Sequence, residues 1–140
     1  MRRYNHGVNH RTILRLAGVS MVIATVCGAL AAHGLKERLT PAMLTAFETA
    51  VRYQFYQSLG LLAIGVLGAN PAAEALDARL QSRLSMAAWL LLAGIVLFCG
   101  SLYALALGAP HVLGAVTPLG GASLILGWIA FVLAFRSAGR

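Results

Sequence analysis

The longest stretch of the sequence without Asp, Glu, Lys or Arg runs from Leu84 to Phe135 and covers 52 residues. As one α-helix it would be ~78 Å long, whereas the hydrocarbon core of a bilayer is only about 30 Å thick. The stretch must therefore fold back, and the Gly-Ala-Pro-His sequence at residues 108–111 is the strong turn signal near its middle. This pattern predicts two helices that each cross a membrane.

The composition agrees with a membrane location. Hydrophobic residues make up 59% of the 140-residue chain and charged residues 11%, with a mean hydropathy of +0.78. Soluble domains average roughly 45–50% apolar and about 25% charged residues. So high a hydrophobicity excludes intrinsic disorder, and two cysteines are too few for a disulfide scaffold. The chain is therefore predicted to be an integral membrane protein.

Two further uncharged runs precede the long one, Leu16–Leu35 and Tyr53–Ala73. Each holds the roughly 20 residues that a helix needs to cross a bilayer. We therefore expect an all-α integral membrane protein, a four-transmembrane-helix bundle with a long second helix, forming one membrane domain over residues 1–140. The spans are predicted at about 14–33, 53–70, 84–108 and 117–136, with an interfacial start of helix two at 41–52.

The arginines ahead of the first run also suit a signal sequence, and Ala-Leu-Ala at residues 29–31 matches a cleavage site. Three further spans favour an uncleaved first helix, because a multispanning chain has less need of a cleavable leader. Cys27 is not preceded by Gly or Ala, so no lipoprotein anchor is expected.

The distribution of Lys and Arg predicts the orientation. Four arginines precede the first span, two basic residues follow the second and two lie in the tail, whereas the connection after the first span has three: Lys36, Arg38 and Arg52. The positive-inside rule then places both termini in the cytoplasm. The basic residues lie at span ends and form no single patch, which argues against nucleic acid as a partner.

Thr40 and Pro41 form a helix-start signal, because Thr can cap a helix and Pro suits its first position. The helix is predicted to continue to Ala69, just before an Asn-Pro pair. At that length of ~44 Å it exceeds the hydrocarbon thickness, so its first turns should lie at the outer interface.

Thr117 and Pro118 repeat this signal. Either the fourth span starts there and 109–116 is an apolar surface loop, or a helix from Val112 is kinked at Pro118; the first interpretation is favoured. A His lies six or seven residues ahead of each Thr-Pro pair, which hints at an internal repeat of the kind found in transporters. The match is short, and coincidence is the favoured explanation.

Small residues at four-residue spacing predict close helix contacts, because helices in lipid associate where their backbones can approach. Ordinary packing is favoured over a ligand or ion pathway along these faces. The predicted packing residues are Ala24, Gly28 and Ala32 on span one, Gly100, Ala104 and Gly108 on span three, and Ser123 and Gly127 on span four.

Polar residues gather where the first two spans reach the outer face. Glu48 and Arg52 are four residues apart with the acid first, the order that favours a helical ion pair. His33 is interpreted either as part of a helix C-terminus capped by a left-handed Gly34, or as a member of a polar cluster with Glu48 and Arg52. Gln54 and Gln57 are expected one turn deeper, at the membrane edge, where their amides need partners. The candidate outer cluster comprises His33, Lys36, Glu48, Arg52, Gln54 and Gln57.

Signals for catalysis are missing from the sequence. No acidic residue lies centrally in a predicted span, and there is no CxxC, HExxH or phosphate-loop motif. We therefore expect no catalytic residue, no cofactor and no metal site. His33 and His111 lie at span ends, which argues against haem. Cys27 and Cys99 have similar predicted depths, so a disulfide is conceivable, but both are expected to be apolar thiols.

Four motifs appear in order along the chain: GALAAHGLK at 28–36, FETAVRYQFY at 47–56, FCGSLY at 98–103 and GAVTPLGG at 114–121, with Gly-Trp following at 127–128. The series resembles the YgdD-like small membrane proteins, the domain of unknown function 423 family, which are similar to eukaryotic transmembrane protein 256. The resemblance covers roughly residues 16–135. It implies a bacterial inner-membrane protein with four helices and no established biochemical activity.

The sequence departs from the pattern of this family at a few positions. Leu30 and Ala31 stand where Phe and Gly are common, Gln57 where His is common, and Cys99 where Ser is common. Of a two-histidine site shared by the family, only His33 would remain.

The absence of catalytic motifs, together with the many packing faces, favours a non-enzymatic accessory or scaffold protein. A small transporter or channel-like carrier is the alternative, and an enzyme ranks third. The expected partners are membrane lipids, with other membrane proteins or a second copy of the chain as further candidates.

Overall fold

The computed structural model describes residues 10–69 and 78–136, and all regular structure in these two ranges is helical. The elements are α1 (His10–Leu30), a π-helical turn (Ala31–Leu35), α2 (Pro41–Ala69), α3 (Ala78–Gly94), a second π-helical turn (Ile95–Cys99), α4 (Gly100–Ala106), a 3₁₀ helix (His111–Ala115) and α5 (Val116–Phe135). α3 and α4 continue through the second π-helical turn as one rod, called the third rod. The described chain therefore forms four helical rods.

Three helical stretches are long and apolar enough to cross a membrane: His10–Leu35, Arg79–Ala106 and His111–Phe135. α2 has 29 residues but is not among them, because polar side chains between Arg52 and Ser58 lower its hydropathy. The prediction of an all-α membrane protein is confirmed in this form. The predicted connection around 71–83 lies largely outside the described residues, and α3 begins at Ala78.

Consecutive rods run antiparallel. Gly68, near the end of α2, lies against the imidazole of His10 at the start of α1, and Gly28, near the end of α1, lies against Val51 in the first half of α2. We call the end of the bundle where α1 begins the His10 end and the opposite end the His33 end. The third rod and α5 form a second closely packed pair, and α2 also contacts the third rod.

Apolar packing is divided between two clusters. The larger one joins all four rods, and its most deeply buried large side chains are Leu61, Ile64, Leu84 and Leu91. The smaller one, at the His33 end, is built around Ala31, Phe47 and Ala106. Along α2, the buried polar residues Gln54, Gln57 and Ser58 separate the two clusters.

Glycines bring the third rod and α5 into close contact. A Cβ atom added at Gly120 would overlap the backbone of Phe98, and one added at Gly127 would lie 2.8 Å from Leu91 Cδ2. Ser123 donates a hydrogen bond of 2.8 Å across the same seam to a backbone carbonyl of α3. Close backbone approach of this kind is what holds helices together in lipid, where no hydrophobic force acts between them.

The predicted packing face of span one is only partly correct. Ala24 is buried, and a Cβ added at Gly28 would lie 3.4 Å from Val51 Cγ1, so both residues belong to the α1–α2 seam. Ala32 is exposed, and Ala31 is buried in its place. Regular helix geometry explains the error: at ~100° per residue, seven residues bring Ala31 back to the direction of Ala24, whereas eight residues turn Ala32 about 80° away from it.

The predicted face of span three makes no close contact within the described bundle. A Cβ added at Gly100 or Gly108 would meet no atom of another element within 4 Å, and Ala104 is only half-buried. Gly108 lies beyond the end of α4, in the turn that follows it.

The two Thr-Pro pairs have different roles. α2 begins at Pro41, and the Oγ1 of Thr40 accepts a hydrogen bond of 3.3 Å from the Met43 amide, as a capping residue does. α5 begins at Val116, and Thr117 does not cap it. Within the predicted apolar surface loop at 109–116, residues 111–115 form a 3₁₀ helix, so the two halves of the chain are not equivalent.

The left-handed glycine is Gly108, with φ of 93°, and Gly34 lies within a right-handed π-helical turn. The Gly108 amide donates to the Leu105 carbonyl, and the Ala109 amide donates to the Ala104 carbonyl. This pair of bonds is the Schellman motif, which satisfies the last carbonyls of a helix. The predicted cap at Gly34 is therefore wrong.

Candidate functional site

The two glutamines of α2 lie inside the bundle, with 4% of Gln54 and 8% of Gln57 exposed. They are three residues apart, so one face of α2 carries both of them towards the other rods. A buried amide is costly unless its polar atoms are hydrogen-bonded. The structure supplies such partners from three other rods.

Gln54 links α1 to the third rod. Its Nε2 donates to the backbone carbonyl of Ser20 at 3.1 Å and lies 3.3 Å from the Ser20 hydroxyl. Its Oε1 accepts a bond of 2.8 Å from the hydroxyl of Tyr103, whose ring packs against Phe47 with a centroid separation of 4.8 Å. One side chain on α2 therefore bonds to α1 and α4 at once.

Ser58 extends this network by one turn of α2. Its hydroxyl lies 2.7 Å from both the Ser20 hydroxyl and the Gln54 backbone carbonyl. A serine hydroxyl carries one hydrogen, so two arrangements are possible. Either Ser58 donates to the Gln54 carbonyl and accepts from Ser20, or Ser58 donates to Ser20. Both arrangements keep the α1–α2 seam hydrogen-bonded.

Gln57 joins α2 to α5. Its Oε1 accepts a hydrogen bond of 2.8 Å from the indole nitrogen of Trp128. The same indole covers Gly60, where an added Cβ would lie 2.8 Å from Trp128 Cζ2. A second polar contact nearer the His33 end joins the hydroxyls of Ser101 and Thr117 at 2.7 Å.

A groove separates α1 from the third rod, because α1 packs mainly on α2. We call it the α1–α4 groove; it has a volume of about 350 Å³. Most of its lining is apolar, and Gln54 and Tyr103 are among the few polar residues that border it. Its walls include Val19 and Ile23 of α1 with Val96 and Gly100 of the third rod.

A second groove lies between α1 and α2 at the His33 end and has a volume of about 270 Å³. We call it the Glu48–Arg52 groove. Arg52 Nε lies 3.4 Å from the Glu48 backbone carbonyl, and the two side chains form no ion pair with each other. The residues that line the groove are Gly28, Ala31 and Ala32 of α1 with Glu48, Val51 and Arg52 of α2.

The structure divides the predicted outer cluster into three parts. Glu48 and Arg52 line one groove, the two glutamines are buried, and His33 and Lys36 are exposed. His33 does not line the Glu48–Arg52 groove. The sequence correctly marks Gln54 and Gln57 as needing partners, but Ser20 and Ser58 are missed, because a serine in an apolar run has no distinctive pattern.

Clusters that could hold a metal ion are not seen in the described ranges. Within residues 10–69 and 78–136, no three His, Cys, Asp or Glu side chains lie close enough to hold a metal ion. Cys27 and Cys99 are free thiols. His10 Nδ1 is buried without a hydrogen-bond partner in these ranges; the ring lies against Gly68 and lines neither groove.

Comparison with known proteins shows what this chain is similar to. The family model described as Protein of unknown function (DUF423) matches residues 27–121. A UPF0382 membrane protein of Staphylococcus epidermidis is 38% identical over 124 residues, which is 89% of this chain and 94% of the relative. UPF0382 membrane protein YwdK of Bacillus subtilis is 37% identical, over 89% of this chain and 95% of the relative. A UPF0382 membrane protein of Haemophilus influenzae is 39% identical, over 84% and 87%. No solved structure matches.

Proposed function

This chain belongs to the family described as Protein of unknown function (DUF423), and from that premise we propose that it is a non-enzymatic accessory or scaffold protein of the bacterial inner membrane. The observation that carries the proposal is the pairing of its interior polar groups. The side-chain oxygens of Gln54 and Gln57 already accept bonds from Tyr103 and Trp128. A catalytic or transport site would need such groups free to contact a substrate.

We propose that all four rods cross the membrane, α2 included. α2 would be ~44 Å long, which exceeds the hydrocarbon thickness. The glutamines that lower its hydropathy are hydrogen-bonded to other rods, so most of the cost of placing them in lipid is offset. Pairing inside the bundle thus makes α2 more compatible with lipid than its sequence alone suggests.

We further propose that both termini lie in the cytoplasm. The basic residues that the structure describes at the His10 end are Arg11, Arg15, Arg79, Arg83 and Arg136. The described part of the His33 end carries fewer basic residues: Lys36, Arg38 and Arg52. This asymmetry supports a cytoplasmic His10 end by the positive-inside rule.

The α1–α4 groove is the proposed contact surface for a partner helix. Its apolar walls suit another membrane-embedded segment, and a Cβ added at Gly100 in its wall would meet no described atom within 4 Å. A helix that seated there would approach the backbone at Gly100 closely, as helices in lipid do at small residues.

Affinity purification in a mild detergent followed by mass spectrometry tests the scaffold proposal. The wild type should retain a defined partner, and Gly100→Leu should lose it because the leucine fills the groove. Gly18→Leu is the matched control, since Gly18 is also an exposed helical glycine with no described atom within 4 Å of its added Cβ, and it lies outside the groove. A wild-type monomer without partner or bound lipid, or equal retention by both variants, would contradict the proposal.

A small transporter or channel-like carrier is the second candidate. The observation that favours it is the presence of Gln54 and Tyr103 along the α1–α4 groove, where they form a polar edge in an otherwise apolar surface. Purified protein in liposomes should then move ions or small amphiphiles, and Gln54→Leu should abolish that flux. No flux with the wild type would remove this candidate.

A further inference from the structure

The Glu48–Arg52 groove holds two opposite charges that do not pair with each other. Glu48 and Arg52 have the spacing and order that favour an ion pair on a helix, yet Arg52 reaches only the backbone carbonyl of Glu48. Within the described ranges, the Glu48 carboxylate has no hydrogen-bond or ion-pair partner, and the terminal nitrogens of Arg52 have none either. Both charged groups therefore remain available to a third group.

We propose that this groove binds the headgroup of a phosphatidylethanolamine lipid, with Arg52 holding the phosphate and Glu48 holding the ammonium. A guanidinium presents paired N–H donors that match two phosphate oxygens, and a carboxylate accepts hydrogen bonds from a primary ammonium. Gly28 and Ala31 form the floor of the groove with short or absent side chains, and its volume of about 270 Å³ offers room for a headgroup.

The order of the two charges along α2 matches the order of charges in this headgroup. If α2 enters the membrane from its Pro41 end, as proposed above, Arg52 lies one helical turn deeper than Glu48. The phosphate of the lipid is attached to the glycerol and lies nearer the hydrocarbon, and the ammonium lies beyond it. Arg52 then meets the phosphate and Glu48 the ammonium without any inversion of the headgroup.

The surroundings favour a lipid over a soluble zwitterion. Val51 and Ala32 give the groove apolar walls beside the two charges. Tyr53 follows Arg52 directly and Tyr56 lies one turn further along α2; they are 42% and 58% exposed, and exposed tyrosines are enriched at membrane interfaces. The groove therefore lies where headgroups are concentrated.

Other common headgroups suit the groove less well. A phosphatidylcholine ammonium has no N–H to donate to Glu48, and quaternary ammonium groups are bound by aromatic cages, which the lining lacks. Phosphatidylglycerol offers no cation, so Glu48 would face the anionic phosphate region unpaired. Arg52 and Glu48 together thus favour a headgroup that carries both a phosphate and a primary ammonium.

The full-length protein in nanodiscs of equal parts phosphatidylethanolamine, phosphatidylcholine and phosphatidylglycerol, with matched acyl chains, tests this inference. After release into mild detergent, native mass spectrometry counts the lipids retained. The wild type should prefer phosphatidylethanolamine by about tenfold, the factor expected for one charged hydrogen-bonded contact. Equal retention of the three lipids would overturn the inference.

Variants separate the two contacts. Glu48→Gln should lower retention of phosphatidylethanolamine to the level of phosphatidylcholine, and Arg52→Gln should lower retention of all three lipids. Glu48→Arg combined with Arg52→Glu keeps the net charge but reverses the order, and it should also lose the preference. Glu37→Gln and Arg38→Gln remove the same charges outside the groove and should change nothing. A Glu48→Gln protein with an unchanged preference would overturn the inference.

Two further measurements distinguish the alternatives. Soluble glycerophosphoethanolamine at the concentration of the lipid should not displace it, and equal competition would overturn the assignment to a lipid. The inference rests on the proposed membrane placement of α2 but does not involve the α1–α4 groove. Suppose that the wild type retains no protein partner, but that Gly100→Leu still prefers phosphatidylethanolamine. That result would remove the scaffold proposal and leave this inference standing.

Discussion

The indole nitrogen of Trp128 donates a hydrogen bond of 2.8 Å to the Oε1 of Gln57, joining α5 to α2. Gln57 is 8% exposed, so this oxygen has little access to solvent if its partner is lost. The bond also connects the two helix pairs of the bundle, α1 with α2 and the third rod with α5.

We expect Trp128→Phe to destabilise the protein, because it leaves the Gln57 oxygen without its donor. Interhelical hydrogen bonds in lipid average about 0.6 kcal/mol, with values up to about 1.7 kcal/mol, and the loss of indole packing adds to this. Combining Trp128→Phe with Gln57→Leu should cost less than the sum of the single changes. Unfolding of the detergent-solubilised protein measures the free energies, and strict additivity would show that the bond contributes nothing.

Gly120→Ala should strongly destabilise the contact between the third rod and α5. The added Cβ would overlap the backbone of Phe98, which cannot move aside as a flexible side chain can. Overpacking of this kind costs about 1–3 kcal/mol or more. Gly100→Ala is the control, since its Cβ meets no described atom within 4 Å, and its thermal stability in detergent should equal or exceed that of the wild type. Similar melting temperatures for the two variants would contradict the close approach at Gly120.

Gly108→Ala should lower stability by about 1–2 kcal/mol, because its φ of 93° places an L side chain in the left-handed region. Gly108→Asn should cost less, since Asn tolerates that region better than other residues. Gly34→Ala should be neutral or stabilising, because Gly34 is in a right-handed turn and its added Cβ would touch only the Leu30 side chain at 4.0 Å. Equal losses of stability for Gly34→Ala and Gly108→Ala would show that the left-handed cap had been assigned to the wrong glycine.

Reporter fusions test the proposed topology of four crossings with both termini inside. An alkaline phosphatase fusion after Arg140 should be inactive and a green fluorescent protein fusion there should be fluorescent. A phosphatase inserted in the connection at residues 36–40 should be active, since we place that connection outside. The reverse result at either site would overturn the orientation derived from the distribution of basic residues.

Local patterns predicted a good part of the fold. The uncharged run from Leu84 to Phe135 and its turn at residues 108–111 correspond to the third rod and α5. Thr40 and Pro41 marked the start of α2, because a cap needs only its own helix to form. The need of Gln54 and Gln57 for partners also followed from the sequence, since an amide in an apolar setting is costly.

The candidate sites were harder to predict because they depend on rotation between helices. Small residues at four-residue spacing misplaced Ala32 and Gly100, because the spacing shows where a backbone can be approached closely but not which side of a rod meets its neighbour. Thr117 looked like a cap, but its hydroxyl bonds to Ser101 of a different rod.

Sequence by itself determined that this chain is a helical membrane protein, because hydropathy and helix-start signals depend on residues that are close together along one helix. Only the tertiary structure decided that Gln54 bonds to Ser20 and Tyr103, and that Glu48 and Arg52 border a groove without pairing. The physical reason is that a hydrogen bond between helices forms only at distances near 3 Å. Which side chains come that close is set by the packing of all four rods together, and no local pattern encodes it.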